Sequence, residues 1–239
     1  MYLEDRGATD ELLYEGHKGY YEALFDKASV YKVYEKLDRH FNGNLCPVSD
    51  SEKRQVSQDH LREIQNCFWD VGPLFPNWRF YDFRVIPIQL ISEIYEHFLA
   101  DEIGTEEKNA SGTFYTPLPL AEFVLNEVLP HASAENQTYN VKILDPTCGS
   151  GIFLVESLHR LLDRWELSHI GEKLDFDTIC RIVKDNIFGI EKEKEAIKVT
   201  AFSIYLAMLD RLDPKSLWQN QRFPYLIDEP DEPDAAKRG

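Results

Sequence analysis

The sequence predicts an α/β fold preceded by a helical region, and three observations support this prediction. Short apolar runs at residues 141–144 and 186–191 have the length and composition of buried strands. Stretches with helical spacing of apolar residues separate and follow these runs. Upstream of residue 110 the periodicity is chiefly helical. The chain therefore combines an N-terminal helical part with a part that holds parallel strands.

The N-terminal region contains two long helical patterns. Apolar residues recur at helical spacing from residue 20 to about 41, which predicts one amphipathic helix that ends at Asn42-Gly43-Asn44. A second helix is predicted from about residue 50 to residue 67. The aromatic, proline-rich stretch from Trp69 to Phe83 predicts a loop with one short extended segment, and Pro87 fits the first turn of another helix.

The second part begins after a polar break at residues 101–112, which predicts a hinge. Helices are predicted at about residues 116–130, 151–165, 177–185 and 194–212. A right-handed crossover would place the two predicted strands parallel and adjacent.

Composition and cysteine spacing exclude several classes of protein. With 239 residues, 43% of them hydrophobic, the chain can bury a core. No apolar run reaches the roughly 18 residues that cross a bilayer, and the first ten residues carry three acids where a secretory signal would be basic and apolar. We therefore expect a cytoplasmic protein without a membrane partner. The four cysteines are far apart, without metal-ligand spacing, which predicts free thiols and no metal site.

The net charge of −16 bears on nucleic-acid binding. Clustered Lys and Arg bind phosphates, so we expect any DNA contact to lie mostly outside this chain. Part of the acidic excess lies near the C-terminus, where acids alternate with Pro230 and Pro233. Such a segment cannot bury enough apolar surface to become ordered, which predicts a flexible end.

The segment KILDPTCGSGIFL at residues 142–154 is the most informative feature, because it is typical of a buried strand that enters a glycine turn and then a helix. Gly149 and Gly151 lack a Cβ atom, so the backbone can adopt positive φ and approach a ligand closely. The helix start offers unpaired N–H groups and the positive end of its dipole. A nucleotide-like cofactor lies at this place in doubly wound α/β domains. A tight strand-to-helix connection without a ligand is the alternative.

Three segments in this order resemble the N6-adenine DNA methyltransferases of restriction-modification and related phage-defence systems. They are GTFYTP at residues 112–117, DPTCGSGIFL at residues 145–154 and FGIE at residues 188–191. The resemblance covers most of residues 20–212. It implies an incomplete Rossmann-like domain dependent on S-adenosylmethionine, preceded by a helical N-terminal region, in a prokaryotic cytoplasm.

The N-terminal piece is similar to the helical region that precedes this domain in large single-chain members, through FNGNL at residues 41–45 and DFRVIPI at residues 82–88. The segments expected from the sequence and this resemblance are a loosely ordered N-terminus at 1–19, a helical N-terminal region at 20–110, the N-terminal half of the methyltransferase domain at 111–220 and an acidic flexible tail at 221–239.

The resemblance also implies a site for S-adenosylmethionine. The residues it assigns to cofactor binding are Tyr115, Thr116, Asp145, Thr147, Gly149, Gly151, Phe153 and Glu191. Asp145 would bind the ammonium group of the cofactor, and its alternative role is the N-cap of the next helix. Phe153 is alternatively a core residue, and Thr116 an ordinary helix start. Cys148 is not interpreted as a nucleophile, since no His lies nearby in the sequence.

Glu191 would accept the hydroxyls of the cofactor ribose from the end of the second strand. Its distance from the glycines is about twice the usual roughly 20 residues, and only the predicted helix at 177–185 explains the difference. Glu166 lies nearer to the usual spacing but follows a helix. A surface acid is the alternative interpretation of Glu191.

The resemblance is incomplete in its catalytic part. This family holds a flipped-out adenine with an Asn/Asp-Pro-Pro-Tyr/Phe segment. The chain has none, and its nearest phrases, Phe223-Pro224-Tyr225 and Asp228-Glu229-Pro230, lack the Asn-Pro-Pro core. We therefore assign no catalytic residue and expect the chain alone to be inactive. In the complete enzyme, a C-terminal half or a second polypeptide would supply the catalytic strand, target recognition and most contacts with double-stranded DNA.

Two other hypotheses stay open at this point. The chain could be a non-catalytic α/β interaction subunit that keeps the fold, which the acidic charge and the missing segment favour. It could also belong to a methyltransferase that acts on RNA or protein amides.

Overall fold

The structure is a computed structural model. It describes residues 1–7, 14, 16–41, 49–70, 78–79, 82–88, 90–91, 94, 116–213 and 222–228. Contacts divide the chain into two compact units, residues 1–86 with 213–222 and residues 87–212 with 223–239. The predicted boundary at 110/111, the hinge at 101–112 and most of the helix predicted after Pro87 lie outside the described residues.

The first unit is helical and ends in a small antiparallel pair of strands. Its described elements are α1 (Tyr2–Asp5), α2 (Tyr20–Ala23), α3 (Lys27–His40), α4 (Asp50–Gln55), α5 (Gln58–Phe68), β1 (Trp69–Asp70) and β2 (Trp78–Arg79). The predicted long helix at 20–41 is two helices, because the Asp26 carboxylate accepts the N–H groups of Ala28 and Ser29 and so starts α3. Ser57 similarly caps α5 and divides the second predicted helix.

The core of the first unit joins α2, α3 and α5. Its buried members are Leu24, Val30, Leu61 and Trp69. The Gln65 side chain donates a hydrogen bond to the carbonyl of Tyr21 at 2.9 Å. Within the predicted loose N-terminus, Tyr14 is buried and packs with Ala23 and Val33.

The second unit carries the parallel strands. Its described elements are α6 (Leu118–Val128), β3 (Ile143–Asp145), α7 (Ile152–Ser168), α8 (Phe176–Asn186), β4 (Ile187–Gly189) and α9 (Lys194–Arg211). Strands β3 and β4 are parallel neighbours, and Ile143, Leu144 and Asp145 pair in register with Ile187, Phe188 and Gly189. The prediction of adjacent parallel strands is therefore confirmed. Helices account for most of the remaining described residues of this unit.

Helix α7 is the centre of the second unit. It contacts α6, α8, α9 and both strands, and Leu154, Leu158 and Leu161 are buried along it. Part of the predicted tail also enters this core: the Phe223 ring packs edge-on against Phe176 and Tyr205. The Tyr205 hydroxyl donates to the carbonyl of Pro224 at 2.6 Å. Phe223 in the Phe223-Pro224-Tyr225 segment is therefore part of the core of the second unit. Residues 229–239 lie outside the described residues.

Candidate cofactor site

The glycine turn is bound to the end of β4 by backbone hydrogen bonds. The Ile190 N–H donates to the carbonyl of Asp145 at 2.9 Å, and the Ile190 carbonyl accepts from the Cys148 N–H at 3.0 Å. These bonds extend the parallel ladder past the ends of the strands. They hold the turn after β3 against Glu191, the residue that follows Ile190.

Two glycines make this turn possible. Gly149 has φ +55° and Gly151 has φ +93°, both in the left-handed region that favours glycine. A Cβ atom on Gly151 would lie 2.7 Å from Cγ2 of Thr200, whereas one on Gly149 would meet nothing within 4 Å. Gly151 therefore allows close packing against α9, and Gly149 faces open space. The turn thus has room for a ligand on the side of Gly149.

Asp145 ends β3 and turns its carboxylate toward the glycine turn. Its Oδ1 atom accepts the N–H of Thr147 at 3.1 Å. Its Oδ2 atom is buried and has no hydrogen-bond partner among the described residues. Helix α7 has Gly151 as its N-cap, so the alternative of an N-cap aspartate is wrong. A buried carboxylate oxygen without a donor suits a positively charged ligand group.

Glu191 is the acid that contacts the glycine turn. Its Oε2 atom accepts the Gly149 N–H at 2.7 Å, and its Oε1 atom accepts the N–H groups of Lys192 and Glu193 at 2.7 and 3.0 Å. Glu166 instead accepts a hydrogen bond from Arg211 on α9 at 3.2 Å. A carboxylate offers about four lone-pair positions. The three backbone donors leave Glu191 room for about one further donor.

Two further residues complete the turn: Thr200, which the sequence predictions missed, and Gly189 of the FGIE segment, which was not assigned to the site. Thr200, buried on α9, donates its hydroxyl to the Gly149 carbonyl at 2.7 Å. At Gly189 a Cβ atom would lie 2.7 Å from Cδ1 of Leu154 and 3.0 Å from the sulfur of Cys148, so a larger residue would force these side chains to shift. The sequence feature that could have identified Thr200 is its position as a polar residue on the apolar face of α9, between Ala196 and Ile204.

Cys148 is part of the packing of the turn. It is buried beside Gly189, and burial raises the pKa of its thiol to about 11. The thiol therefore stays protonated near neutral pH, which argues against a nucleophilic role.

Four predicted site residues remain, and the structure describes Thr147, Phe153 and Thr116 among them. Thr147 is exposed and Phe153 is half-buried in the first turn of α7. Thr116 is half-buried before α6, whose start has no side-chain cap hydrogen bond, so Thr116 does not cap that helix. Tyr115 lies outside the described residues, as do Gly112, Thr113 and Phe114.

A cavity of about 340 Å³ lies apart from the turn, at the end of α7. Its lining includes Tyr139, Trp165, His169 and Asn186, and none of the predicted site residues. Within the described ranges, no three His, Cys, Asp or Glu side chains are grouped as a metal ion requires. Similarly, none of the described helices has both the length and the apolar character needed to cross a membrane.

A parallel strand pair, a glycine turn that opens a helix, and an acid after the second strand are typical of α/β domains that bind nucleotide-like cofactors. A family model described as N-6 DNA Methylase matches residues 87–220, more than half of the chain. The chain therefore belongs to the N-6 DNA methylase family. This family implies an S-adenosylmethionine-dependent methyltransferase fold, with that molecule as methyl donor.

Curated relatives come from restriction and defence enzymes. The chain is 25% identical over 224 residues to the type II restriction enzyme and methyltransferase RM.Eco57I of Escherichia coli, which covers 80% of this chain and 22% of that protein. It is 23% identical over 133 residues to the adenine-specific methyltransferase PglX of Streptomyces coelicolor, covering 54% and 11%. It is 28% identical over 105 residues to the type I restriction enzyme EcoEI methylase subunit of Escherichia coli, covering 44% and 18%.

The chain spans about a fifth or less of the length of each of these three relatives. No solved structure matches the chain.

Proposed function

We propose that this chain is the S-adenosylmethionine-binding portion of an enzyme that methylates the N6 amine of adenine in double-stranded DNA. The enzyme would act in a restriction-modification or related defence system in a prokaryotic cytoplasm. The observation that carries the proposal is the turn at Gly149, bound on one side by Glu191 and on the other by Thr200. The family description and the names of the relatives support the substrate.

Each polar group at the turn has a role toward the methyl donor. The unpartnered Oδ2 atom of Asp145 would accept from the donor's ammonium group. The open side of Gly149 would admit the methionine part, and Glu191 would accept a ribose hydroxyl with its remaining lone pair. To accept a second ribose hydroxyl, the Glu191 carboxylate would have to release one of the three backbone N–H groups that it binds. The bound donor supplies a methyl group activated by its sulfonium charge.

Tyr115, Thr116, Thr147 and Phe153 remain proposed members of this site through the family resemblance. No residue of the chain is proposed as catalytic, because the sequence has no Asn-Pro-Pro-Tyr segment. Presentation of the adenine would fall to a C-terminal half of the domain or to a second polypeptide. We therefore expect no methyl transfer to DNA by the purified chain. Transfer of labelled methyl groups to duplex DNA by this chain alone would contradict that assignment.

Saturation-transfer NMR with S-adenosylmethionine tests the donor site, since it detects weakly bound ligands. We expect signals for the unmodified chain, and at least about a tenfold loss of affinity in Asp145→Ala and Glu191→Ala. Each variant removes a charge-assisted hydrogen bond, worth about 1.5–3 kcal/mol. Glu195→Ala is the matched control, because Glu195 lies in the same acidic run but pairs with Lys198 on the surface.

Glu191→Ala also removes backbone acceptors, so circular dichroism must show that the variant folds. Glu191→Gln keeps acceptor capacity without the charge and should bind the donor more strongly than Glu191→Ala does. An unmodified chain that gives no signal at millimolar donor, or an equal loss in Glu195→Ala, would count against this site.

The non-catalytic interaction subunit is the second candidate. The missing catalytic segment and the net charge of −16 favour it. It predicts that no S-adenosylmethionine binds, even when the rest of the domain is present.

A further inference from the structure

A cleft of about 340 Å³ lies in the second unit, at the opposite end of the strands from the glycine turn. Its walls are the last turn of α7 at Trp165, one side of α8, and Tyr139 and Asn140 in the segment that leads into β3. The glycine turn follows the carboxyl end of β3, whereas Asn140 and Asn186 precede the amino ends of β3 and β4. This cleft, which we call the α7–α8 cleft, is therefore separate from the candidate cofactor site.

The floor of the α7–α8 cleft holds a polar atom without a partner. Asn186 lines the cleft and is only 2% exposed. Its Nδ2 atom donates to the carbonyl of Ile182, one helical turn back, at 3.0 Å. Its Oδ1 atom points away from that carbonyl and has no hydrogen-bond partner among the described residues. A buried acceptor without a donor is unfavourable, so this atom suits a ligand that brings an N–H or O–H group to the floor.

The charges around the cleft favour a cation. Glu172 and Asp185 are exposed acids of its lining, and Arg181 is the only lysine or arginine among the described lining residues. The Arg181 guanidinium already donates to the hydroxyl of Thr178 at 3.1 Å. Helices α7 and α8 both end at the cleft, and the C-terminal end of a helix carries partial negative charge. The cleft therefore attracts positive ligands more strongly than anions.

Aromatic rings form one wall of the cleft. The Trp165 and His169 rings are stacked, with centroids 4.4 Å apart and an angle of 9° between their planes. The Tyr139 ring meets His169 edge-on at 5.5 Å. The Nδ1 atom of His169 donates to the carbonyl of Trp165 at 2.9 Å, which holds the imidazole in this position. Aromatic faces attract cations, and a planar cation can also stack on them.

We propose that the α7–α8 cleft binds a small organic cation of the guanidinium class. A guanidinium group presents five N–H donors in one plane. It can therefore donate to Oδ1 of Asn186 and to a carboxylate of the rim while its face lies against the aromatic wall. It is also more weakly hydrated than an ammonium group, and any group that reaches the floor must lose its water. The site is independent of the methyl donor and of the missing catalytic segment.

Two sources could supply this group: a free guanidino compound and an arginine side chain of a polypeptide. Agmatine is the probe for the free compound. Putrescine is its matched control, because it carries an amine where agmatine carries the guanidinium. The capped tripeptide acetyl-Gly-Arg-Gly-amide is the probe for the side chain, and acetyl-Gly-Lys-Gly-amide is its matched control.

Heteronuclear NMR of the complete, nitrogen-15-labelled chain tests the site. The chain has four tryptophans, and the indole N–H signal of Trp165 reports on the cleft once it is assigned by triple-resonance experiments. We expect this signal to shift with a millimolar guanidinium probe, and to shift less with the matched amine. Physiological salt is used, because it screens the general attraction of a chain with net charge −16 for cations. A shift with agmatine supports a free ligand, and a shift with the tripeptide alone supports an arginine side chain.

Substitutions in the cleft should change the affinity for the guanidinium probe in opposite directions. Asn186→Leu removes the acceptor at the floor and should weaken binding at least about tenfold, as the loss of a charged hydrogen bond does. Glu172→Gln and Asp185→Asn should each weaken binding about two- to fivefold, since exposed charge pairs contribute little. Arg181→Gln should strengthen binding by a similar factor. Glu127→Gln is the matched control, because Glu127 is exposed on α6 and outside the lining, and it should leave the affinity unchanged.

The inference is overturned if no guanidinium probe moves the Trp165 signal, which would mean that the cleft holds only water. It is also overturned if each amine binds as tightly as its guanidinium counterpart. Equal losses in Glu172→Gln and Glu127→Gln would overturn it too, because they would show a general attraction of the acidic chain for cations. Circular dichroism must show that Asn186→Leu folds. If it does not, the exposed rim variants decide the question, since their opposite effects do not depend on packing.

Discussion

Gly149 is held on both sides by residues that are distant in the sequence. Its N–H donates to Glu191, 42 residues away, and its carbonyl accepts from Thr200, 51 residues away. The two contacts fix the backbone orientation of a glycine that has no side chain to anchor it. These two hydrogen bonds therefore keep the turn in a defined shape although the space beside Gly149 is open.

The Thr200 hydroxyl should stabilise the turn measurably. Thr200→Val keeps the shape of the side chain but leaves the buried carbonyl of Gly149 without its donor. We expect the free energy of unfolding to fall by about 1–3 kcal/mol. Urea denaturation followed by circular dichroism would measure the change.

Thr200→Ser is the matched control for this prediction. It keeps the hydroxyl and loses one buried methyl group, which costs roughly 0.8 kcal/mol. A loss in Thr200→Ser as large as that in Thr200→Val would show that packing, and not the hydrogen bond, dominates at this position.

Helix α7 holds the chain that connects α6 to β3 through two buried arginines. Arg160 donates to the carbonyl of Leu129 at 2.8 Å. Arg164 donates to the carbonyls of Pro130 and Thr138, the latter at 3.0 Å. Burial lowers the pKa of both guanidinium groups. The two arginines therefore hold the segment between α6 and β3 against α7, and burial costs each guanidinium group part of its hydration.

The two arginines should differ in their contribution to stability. Arg160 makes one hydrogen bond, at 2.8 Å, and its Nε and Nη2 atoms are buried without a partner in the described part of the chain, whereas Arg164 has one such atom, Nε. Removal of such a charge relieves a desolvation penalty that offsets the lost bond. We expect Arg160→Met to change the free energy of unfolding by less than about 1 kcal/mol. Arg164→Met should destabilise by about 1.5–3 kcal/mol, since two carbonyls lose a charged donor.

Thermal and urea unfolding of both variants would check this order. An Arg160→Met variant that loses as much stability as Arg164→Met would mean that Arg160 is better solvated or better paired than its buried atoms indicate.

The charge of the whole molecule limits what it can bind. At −16, the chain repels phosphates, although its family is that of the N-6 DNA methylases. We therefore expect the donor site and the DNA contacts of the proposed enzyme to lie in different parts of it. This division agrees with the absence of an Asn-Pro-Pro-Tyr segment from the sequence.

We expect the isolated chain to have no saturable affinity for duplex DNA at physiological salt. Proteins with basic DNA surfaces bind non-specifically with Kd values of roughly 10⁻⁴–10⁻⁶ M under these conditions. Fluorescence anisotropy with a labelled duplex would measure the affinity, with the type II restriction enzyme and methyltransferase RM.Eco57I as the positive control. Salt-dependent binding by the chain alone in this range would contradict the division.

Local patterns predicted the elements of the second unit well and those of the first unit less well. Helices α6 to α9 and both parallel strands lie where apolar periodicity places them, within a few residues. The breaks before α3 and α5 were not predicted. Asp26 and Ser57 start new helices inside stretches whose apolar spacing continues across the break. Periodicity reports the buried face of a stretch, whereas a capping hydrogen bond determines where each helix starts.

The sequence by itself determined the family, the order of strands and helices, and the candidate residues Asp145, Gly149, Gly151 and Glu191, because short motifs and apolar spacing are local. Only the tertiary structure decided that Glu191, and not Glu166, contacts the glycine turn, that Thr200 holds its other side, and that Asp145 is not a helix cap. It also located the α7–α8 cleft around Trp165 and Asn186. Each of these depends on which distant segments pack together, and no local pattern carries that information.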